Sequence, residues 1–466
     1  MKHTIDQVDN ASMPATSTLV EPDSLNPSGI HHMTRTNATH AAAAGGGPDD
    51  GSDNNVAAAV AAGQMIDVSK LSAEQAVQRL IDHAARMGAS DLFIVSNEQH
   101  MAVLVRHLGI VRPISVLSPD QGKRCLAHIK ANSGMDISEK RHPADGRWIY
   151  NSREADTTVD LRINVIPTMY GEDFALRLLS RGNQLYNLDQ LGMTDEQLAS
   201  YQQMISSPSG IVLITGPTGS GKTATLYASL MKLNDGKRKI NTIEDPIEYA
   251  IDGLRQSQVN PQINLGFSEL LRSVLRQSPD VIMIGEIRDE ETARTAVRAA
   301  NSGILVFATL HAPSAAGAVQ TMRTLGSHPH FLATSLRGVV AQRLVRTLCP
   351  KCRLSFDLSD APETFDEVRP WLNSDEGKTL FAAKGCEACG HTGYSSRTGV
   401  FEVMPISKSL RAMISTGATA ADVRAKAVEE KMLEFRASAL VKVARGLTST
   451  EEVFRVVPSE HLNTEE

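Results

Sequence analysis

Gly216-Pro217-Thr218-Gly219-Ser220-Gly221-Lys222-Thr223 satisfies the pattern G-x-x-x-x-G-K-[ST] at every constrained position. Its flanks give the pattern mechanical sense. Ile211–Thr215 is a short apolar run that reads as a buried strand, and Ala224–Met231 reads as a helix. A strand, a glycine loop and a helix start make a phosphate cradle. The glycines let backbone N–H groups turn inward, and the helix N-terminus adds partial positive charge. Lys222 is long enough to reach the β- and γ-phosphates of a nucleotide, and the Thr223 hydroxyl can ligate Mg²⁺. Gly216 to Thr223 are the candidate nucleotide-binding residues, with ATP and Mg²⁺ as the expected ligands.

Downstream, apolar strands alternate with helices. Ile240–Ile243, Val281–Ile284 and Ile304–Thr309 read as strands, and Phe267–Gln277 and Glu290–Ala300 as helices. This argues for a largely parallel sheet covered by helices, hence an α/β core. In such a sheet ligands bind at the strand C-termini. Thr242–Glu248 therefore puts Glu244, Asp245 and Glu248 where one carboxylate can orient an attacking water and another organise Mg²⁺. In the next acidic segment Asp280 precedes the apolar run and Glu286 follows it, so Glu286 is the better metal-site acid. Asp280 reads as a strand-start residue and Asp289 as a helix cap. His311 ends the following strand, beside the other strand ends.

Cys349-Pro-Lys-Cys352 and Cys386-Glu-Ala-Cys389 are two C-x-x-C pairs separated by 33 residues. Four thiolates suit a closed tetrahedral Zn²⁺ site that stabilises rather than catalyses. Cys125 stands outside this set and reads as a buried thiol.

The remaining chain divides by composition. Residues 1–65 are rich in Ala, Gly, Ser, Thr, Asn and Asp, and are expected to be disordered. Residues 68–181 read as a small α+β domain. It opens on a Ser72/Gln75 capping box and continues with strands at Leu92–Val95, Ala102–Leu108, Arg147–Tyr150, Thr158–Ile166 and Phe174–Leu179. A linker at 182–191 and a helix capped by Thr194 lead into the core at 192–348. The cysteine element spans 349–400. A helical region occupies 401–466, with helices from about Lys408 and breaks at Gly417 and Gly446. The net charge of −6 and an aromatic content of 4% speak against a nucleic-acid-coating protein, so no stable nucleic-acid binding is expected. The N-terminal residues lack the apolar core of a signal peptide, and no run is long enough to span a bilayer, so a cytosolic protein is expected.

Taken together the motifs resemble the secretion-superfamily ATPases of type II secretion and type IV pilus assembly. The likeness rests on Gly88-Ala-Ser-Asp91, Asp160–Asn164, Pro167-Thr168, Gly171-Glu172, Arg177–Leu179, the Gly216–Thr223 loop, Thr242–Glu248, Gly285–Asp289, Ala308–His311, the paired cysteines, Phe401–Pro405 and Thr450–Val453. Phe93–Ser96 departs from the family's usual His-Ile-Glu-Pro, and Ala224 replaces a usual threonine.

The resemblance implies a RecA-like ATPase core behind a PAS-like N-terminal domain. It implies a cytoplasmic homo-hexamer at the inner membrane, driving a platform protein that adds pilin-like subunits to a filament. Glu248 becomes the catalytic glutamate and Glu286 the second acid. Arg162 and Arg177 become candidates for reaching the phosphates from the N-terminal domain. Arg272, Arg276 and His311 become further phosphate-sensing candidates. Two alternatives stand beside this reading: a pilus-retraction ATPase, against which the four cysteines argue, and a zinc-dependent nucleic-acid-binding protein.

Overall fold

The computed structural model describes residues 65–152, 157–180 and 186–458. The expected disordered segment 1–65, apart from Met65, and residues 182–185 of the expected linker lie outside the described residues.

The N-terminal part is a six-stranded antiparallel sheet with two helices on one face. Helix α1 (Ala73–Arg86) starts at Ser72. The Ser72 hydroxyl accepts the Gln75 N–H at 3.3 Å, and the Gln75 side chain accepts the Ser72 N–H at 3.2 Å, the reciprocal cap expected from the sequence. Strands β1 (Asp91–Ser96), β2 (Met101–His107), β4 (Ala144–Ser152), β5 (Thr157–Thr168) and β6 (Gly171–Ser180) match the five expected strands, except that the second stops one residue short, with Leu108 in the turn at φ 50°. Strand β3 (Ile110–Leu117) and helix α2 (Pro119–Ser133) were not visible in the hydrophobic pattern. β3 lies at the sheet edge, carries Pro113 and has a register shift opposite Val103 and Leu104. Proline and a bulge are tolerated at an edge, and both blur the two-residue period. The sheet order is β3-β2-β1-β6-β5-β4. Val77, Leu80, Ile81, Leu126 and Ile129 pack onto Val103, Val105, Leu161 and Ile163.

The second sheet has seven strands, in the order β15-β12-β7-β11-β10-β8-β9. Helix α3 (Asp195–Ile205) leads in with a Thr194/Gln197 capping box. β7 (Gly210–Thr215), β8 (Ile240–Glu244), β9 (Arg255–Gln258), β10 (Val281–Ile284), β11 (Leu305–Leu310) and β12 (Leu336–Leu348) run parallel. β15 (Tyr394–Pro405) alone is antiparallel, paired with β12. Between them lie α4 (Lys222–Leu233), α5 (Phe267–Leu275), α6 (Glu290–Asn301), α7 (Ala315–Thr324) and α8 (Pro329–Ser335).

The strands β7, β10 and β11 are buried and almost wholly apolar because both faces are covered. Ile211 and Leu213 of β7 belong to one core, and Val212 and Ile214 to another on the opposite face. The short strands β13 (Leu354–Asp357) and β14 (Thr379–Ala382) pair with each other inside the excursion between the cysteine pairs. The chain ends in α9 (Lys408–Thr416), α10 (Ala420–Glu429), α11 (Phe435–Ala444) and α12 (Thr450–Val456). Gly417 closes α9 in a left-handed conformation at φ 82°, and Gly446 has φ 65° beyond α11, the two breaks read from the sequence. Among the described residues no helix is long and apolar enough to cross a membrane.

Candidate functional site

The glycine loop joins β7 to α4, on an interior strand of the sheet, between β12 and β11. Gly219 and Gly221 have φ of 77° and 91°, the left-handed region that favours glycine. At Gly216 the reason is crowding: a Cβ would come within 2.3 Å of the Gln342 carbonyl on β12. Most other helices begin at a Ser, Thr or Asp whose side chain accepts a first-turn N–H, as at Ser72, Ser118, Thr194, Asp289, Ser314 and Ser407. α4 begins at Gly221 without a side-chain cap. Its first-turn N–H groups are left for an anion, which is what phosphate binding requires. Lys222 Nζ folds back onto the loop, donating to the carbonyls of Gly216 at 2.7 Å and Pro217 at 3.1 Å. Burial lowers the Lys222 pKa, and the nearby Glu286 charge opposes the shift. Thr223 is exposed at the start of the helix.

The other expected groups follow β11, β10 and β8 at the same edge of the sheet. Glu286 follows β10 and accepts from Arg288 at 2.6 Å and from His311, which follows β11, at 2.9 Å. Burial alone would raise the Glu286 carboxyl. Arg288 outweighs it through its hydrogen bond and charge, with His311 and Lys222 adding positive charge, and holds the pKa below the usual range. Lys222, Glu286 and His311 thus form one electrostatic cluster, to which the structure adds Arg288. Asp280 sits at the other end of β10 and accepts the Lys239 N–H at 2.7 Å, a strand-start role. Asp289 caps α6 by accepting the Thr292 N–H at 2.8 Å.

Glu244, the last residue of β8, and Glu248, beyond it, part company. Glu244 does not face the nucleotide crevice, contrary to the expectation from its position. It is 3% exposed and accepts from the Tyr227 hydroxyl, from Thr242 Oγ1 at 2.6 Å and from Gln256 Nε2 at 3.0 Å. Three donors satisfy it inside the sheet, which makes it structural. Glu248 instead lines a cavity of about 1220 Å³ whose far wall is the N-terminal sheet, including Arg147, Asp160, Arg162, Asn164 and Arg177. Arg162 donates to the Ile247 carbonyl at 3.2 Å. Burial raises the Glu248 pKa, and the charges of Arg162 and Arg177 partly oppose it. The predicted residues therefore fall into two clusters, one around the loop and one across this cavity. Arg272 and Arg276 join neither within the chain. Arg272 pairs with Glu269 at 3.3 Å and with Glu291, and Arg276 donates to the Arg272 carbonyl at 3.0 Å.

Cys349, Cys352, Cys386 and Cys389 converge, with all four Sγ atoms within 4.8 Å of one another. Cys352 and Cys386 Sγ lie 3.9 and 3.8 Å from Cys389 Sγ. A tetrahedron with Zn–S of ~2.3 Å places thiolates about 3.8 Å apart. Burial would raise the Cys389 thiol. The N–H groups of Cys386, at 3.2 Å, and of Gly393, at 3.3 Å, favour its thiolate and prevail. The donor set fits a tetrahedral dication. The N-terminal domain rests on it, Arg112 of β3 donating to the Gly390 carbonyl at 3.0 Å. Cys125 is buried in the N-terminal core, and burial pushes its thiol up to about 11.

Sequence reasoning missed Gln342, Arg288 and Arg112. Gln342 is a polar residue inside an apolar run, Val339-Val340-Ala341-Gln342, which is the signal that would have marked it.

A glycine loop with its lysine after an interior parallel strand, and acids following other parallel strands of the same sheet, define a P-loop nucleotide hydrolase. Residues 68–455 match the family described as Type II/IV secretion system protein, and the chain belongs to it. It is 40% identical over 381 residues to the type II secretion system ATPase E of Vibrio cholerae, covering 82% of this chain and 74% of that one. To the type IV pilus assembly ATPase PilB of Thermus thermophilus it is 38% identical over 388 residues, 83% of this chain and 43% of that one. Its fold is similar to that of the Legionella pneumophila ATPase DotB, with a TM-score of 0.63 at 20% identity, over 84% of this chain and 97% of that one. The protein is a secretion-system ATPase, homologous to ATPase E and to PilB.

Proposed function

We propose that this chain hydrolyses ATP as a homo-hexameric ring to drive pilus or pseudopilus assembly through an inner-membrane platform protein, from the cytoplasmic side. In this reading residues 192–348 with β15 form a RecA-like ATPase unit and residues 68–181 a PAS-like domain. Gly216–Thr223 holds the phosphates, Thr223 and Glu286 organise Mg²⁺, and Glu248 is the general base. Bound Mg²⁺ supplies charge neutralisation at the β- and γ-phosphates. The observation that carries the proposal is the junction of loop, Glu286 and His311 at one sheet edge, with Glu248 facing Arg162 and Arg177 across a cavity. A raised Glu248 pKa suits a base that must take a proton. Closing the N-terminal domain onto the core would bring the arginines and the base to the phosphates, a hinge motion common among nucleotide enzymes. Arg272 and Arg276, on the outer surface of α5, are then available to a neighbouring subunit. The four cysteines hold one structural Zn²⁺, and the helices after β15 complete the C-terminal region.

The test compares Lys222→Ala with Glu248→Gln for nucleotide binding and phosphate release. Lys222→Ala is expected to lose binding. Glu248→Gln is expected to bind ATP normally while turnover falls by about 10²–10⁴-fold. Wild-type turnover in Glu248→Gln would move the role of base to another carboxylate.

A further inference from the structure

We propose that Gln342 is a positioning residue for nucleotide binding: it holds the Ser220 carbonyl outward and thereby aims the Gly221 N–H into the phosphate site. The inference rests on Gly216–Thr223 being the phosphate-binding loop.

β12 runs beside β7 with Ala341 opposite Thr215. The next residue, Gln342, is therefore level with the start of the loop. Its side chain is 1% exposed and uses both ends of its amide. Nε2 donates to the Ser220 carbonyl at 2.8 Å, and Oε1 accepts from the Thr225 hydroxyl at 2.8 Å. A carbonyl can only accept, so the nitrogen must face the loop and the oxygen must face the helix. The Gln342 backbone carbonyl also lies against Gly216, and its Nε2 would be 3.2 Å from a Cβ at Gly221. One residue thus contacts the first glycine of the loop, its last turn and the first turn of α4.

The C=O and N–H of a trans peptide point in opposite directions. Fixing Ser220 O toward Gln342 turns the Gly221 N–H the other way, toward the enclosed space. A loop that binds anions through N–H groups must have its carbonyls turned out and partnered, since an outward carbonyl without a partner costs desolvation energy and an inward one repels phosphate. The carbonyls of Gly216 and Pro217 accept from Lys222 Nζ, and that of Pro217 also from the Ser220 N–H at 3.2 Å. The lysine leaves both when its amine moves to a phosphate, and the Gly216 carbonyl then loses it. The partner of Ser220 belongs to a buried strand and stays. Gln342 is therefore the fixed brace of the loop and Lys222 its movable one.

The experiment uses the full-length chain with MgADP and a non-hydrolysable ATP analogue as probes. Gln342→Met keeps length and bulk while removing both hydrogen bonds. Thr225→Val removes only the bond to the helix. Lys222→Ala serves as the control. Gln342→Met is expected to weaken MgADP by about tenfold or more, the cost of leaving a buried carbonyl unpaired. The loss should appear in KM, with kcat at saturating ATP changing less. The rise in Tm on adding MgADP should shrink, a change that a merely structural residue would not produce. Thr225→Val should weaken binding less. Should Gln342→Met fail to fold, Gln342→Glu keeps the acceptor for Thr225, sets an oxygen against the Ser220 carbonyl, and is expected to show the same KM effect. Wild-type MgADP affinity in the folded Gln342 variant, with binding lost in Lys222→Ala, would overturn the role of Gln342 and leave the loop assignment standing. Wild-type affinity in Lys222→Ala would overturn both.

Discussion

Successive residues of β10 enter different cores, Ile282 and Ile284 on one face of the seven-stranded sheet and Val281 and Met283 on the other. In β5 of the six-stranded sheet only Val159, Leu161, Ile163 and Val165 are packed into a core, while Asp160, Arg162 and Asn164 line the cavity on the other side. A sheet covered on both faces can offer chemistry only at its strand ends, and the loop, Glu286 and His311 lie at those ends. A sheet covered on one face can offer the face itself. Here that face carries a row of charge, with Arg147 opposite Arg162, Arg162 opposite Arg177, Arg177 opposite Asp91 and Asp91 opposite Arg106. Like charges directly opposite one another are destabilising. The row is relieved by Arg147 with Asp160 at 2.6 Å and by Asp91 with Arg106 at 3.4 Å and Arg177 at 3.6 Å. Arg106 of this row also lies over the Phe93 ring, 5.5 Å from its centroid; Arg162 and Arg177 are the members the proposed function assigns to the nucleotide.

The contrast can be broken by substitution. Ile282→Ala, at a position 0% exposed, should cost about 2–5 kcal/mol of stability, read from urea unfolding. Arg162→Ala and Arg177→Ala should unfold near the wild-type temperature while turnover falls by about 10- to 100-fold, the range for a lost charged hydrogen bond. Unfolding of either arginine variant, or full turnover in both, would mean that the open face is structural after all.

A third region sharpens the comparison, because the cysteine element has little core of its own and is held at its base. Cys352→Ser should lower Tm by less than Ile282→Ala does and leave MgADP binding in place, since the loop lies on another strand. Metal analysis should find about one zinc per chain in the wild type. Folded wild-type protein with no metal and four freely titratable thiols would make the site vestigial.

A pH-dependent effect is expected inside the doubly covered sheet. Glu402 of β15 is 2% exposed and accepts the Ala315 N–H at 2.8 Å. Burial pushes its carboxyl from 4.5 to about 7, the N–H groups of Ala315 and Phe435 opposing only in part. Between these values the folded chain holds a proton that the unfolded chain has released. Stability from this group is therefore full below 4.5 and lost as pH rises through about 7. Glu402→Gln should flatten the fall in urea midpoint between pH 5 and pH 8, an interval of about three units around the shift. Parallel profiles for the two proteins would assign the slope to other groups.

Legibility followed the same divide. β7, β10 and β11 could be read because burial on both faces leaves continuous apolar runs bounded by turns. The caps at Ser72, Thr194 and Asp289 could be read because capping is a contact between neighbours in sequence. β3 and β12 escaped notice, the first bulged at an edge and the second carrying Gln342, Arg343 and Arg346 among its apolar residues. Glu244 and Glu248 look alike in the sequence. Only the approach of Tyr227, Thr242 and Gln256 to one, and of Arg162 and Arg177 to the other, separates them.

By itself the sequence determined the local chemistry: a glycine loop able to turn its N–H groups inward, a lysine placed to follow it, acids after apolar runs and two cysteine pairs at ligand spacing. These depend on residues within a few positions of one another, where backbone geometry leaves little choice. The tertiary structure decided the long-range pairings, which no local pattern carries. It set Gln342 beneath a loop more than a hundred residues earlier in the chain, His311 on Glu286, Arg112 on the cysteine element, and the arginine row opposite Glu248. Each depends on which strand lies beside which, and that order follows from burying the whole chain's apolar surface together.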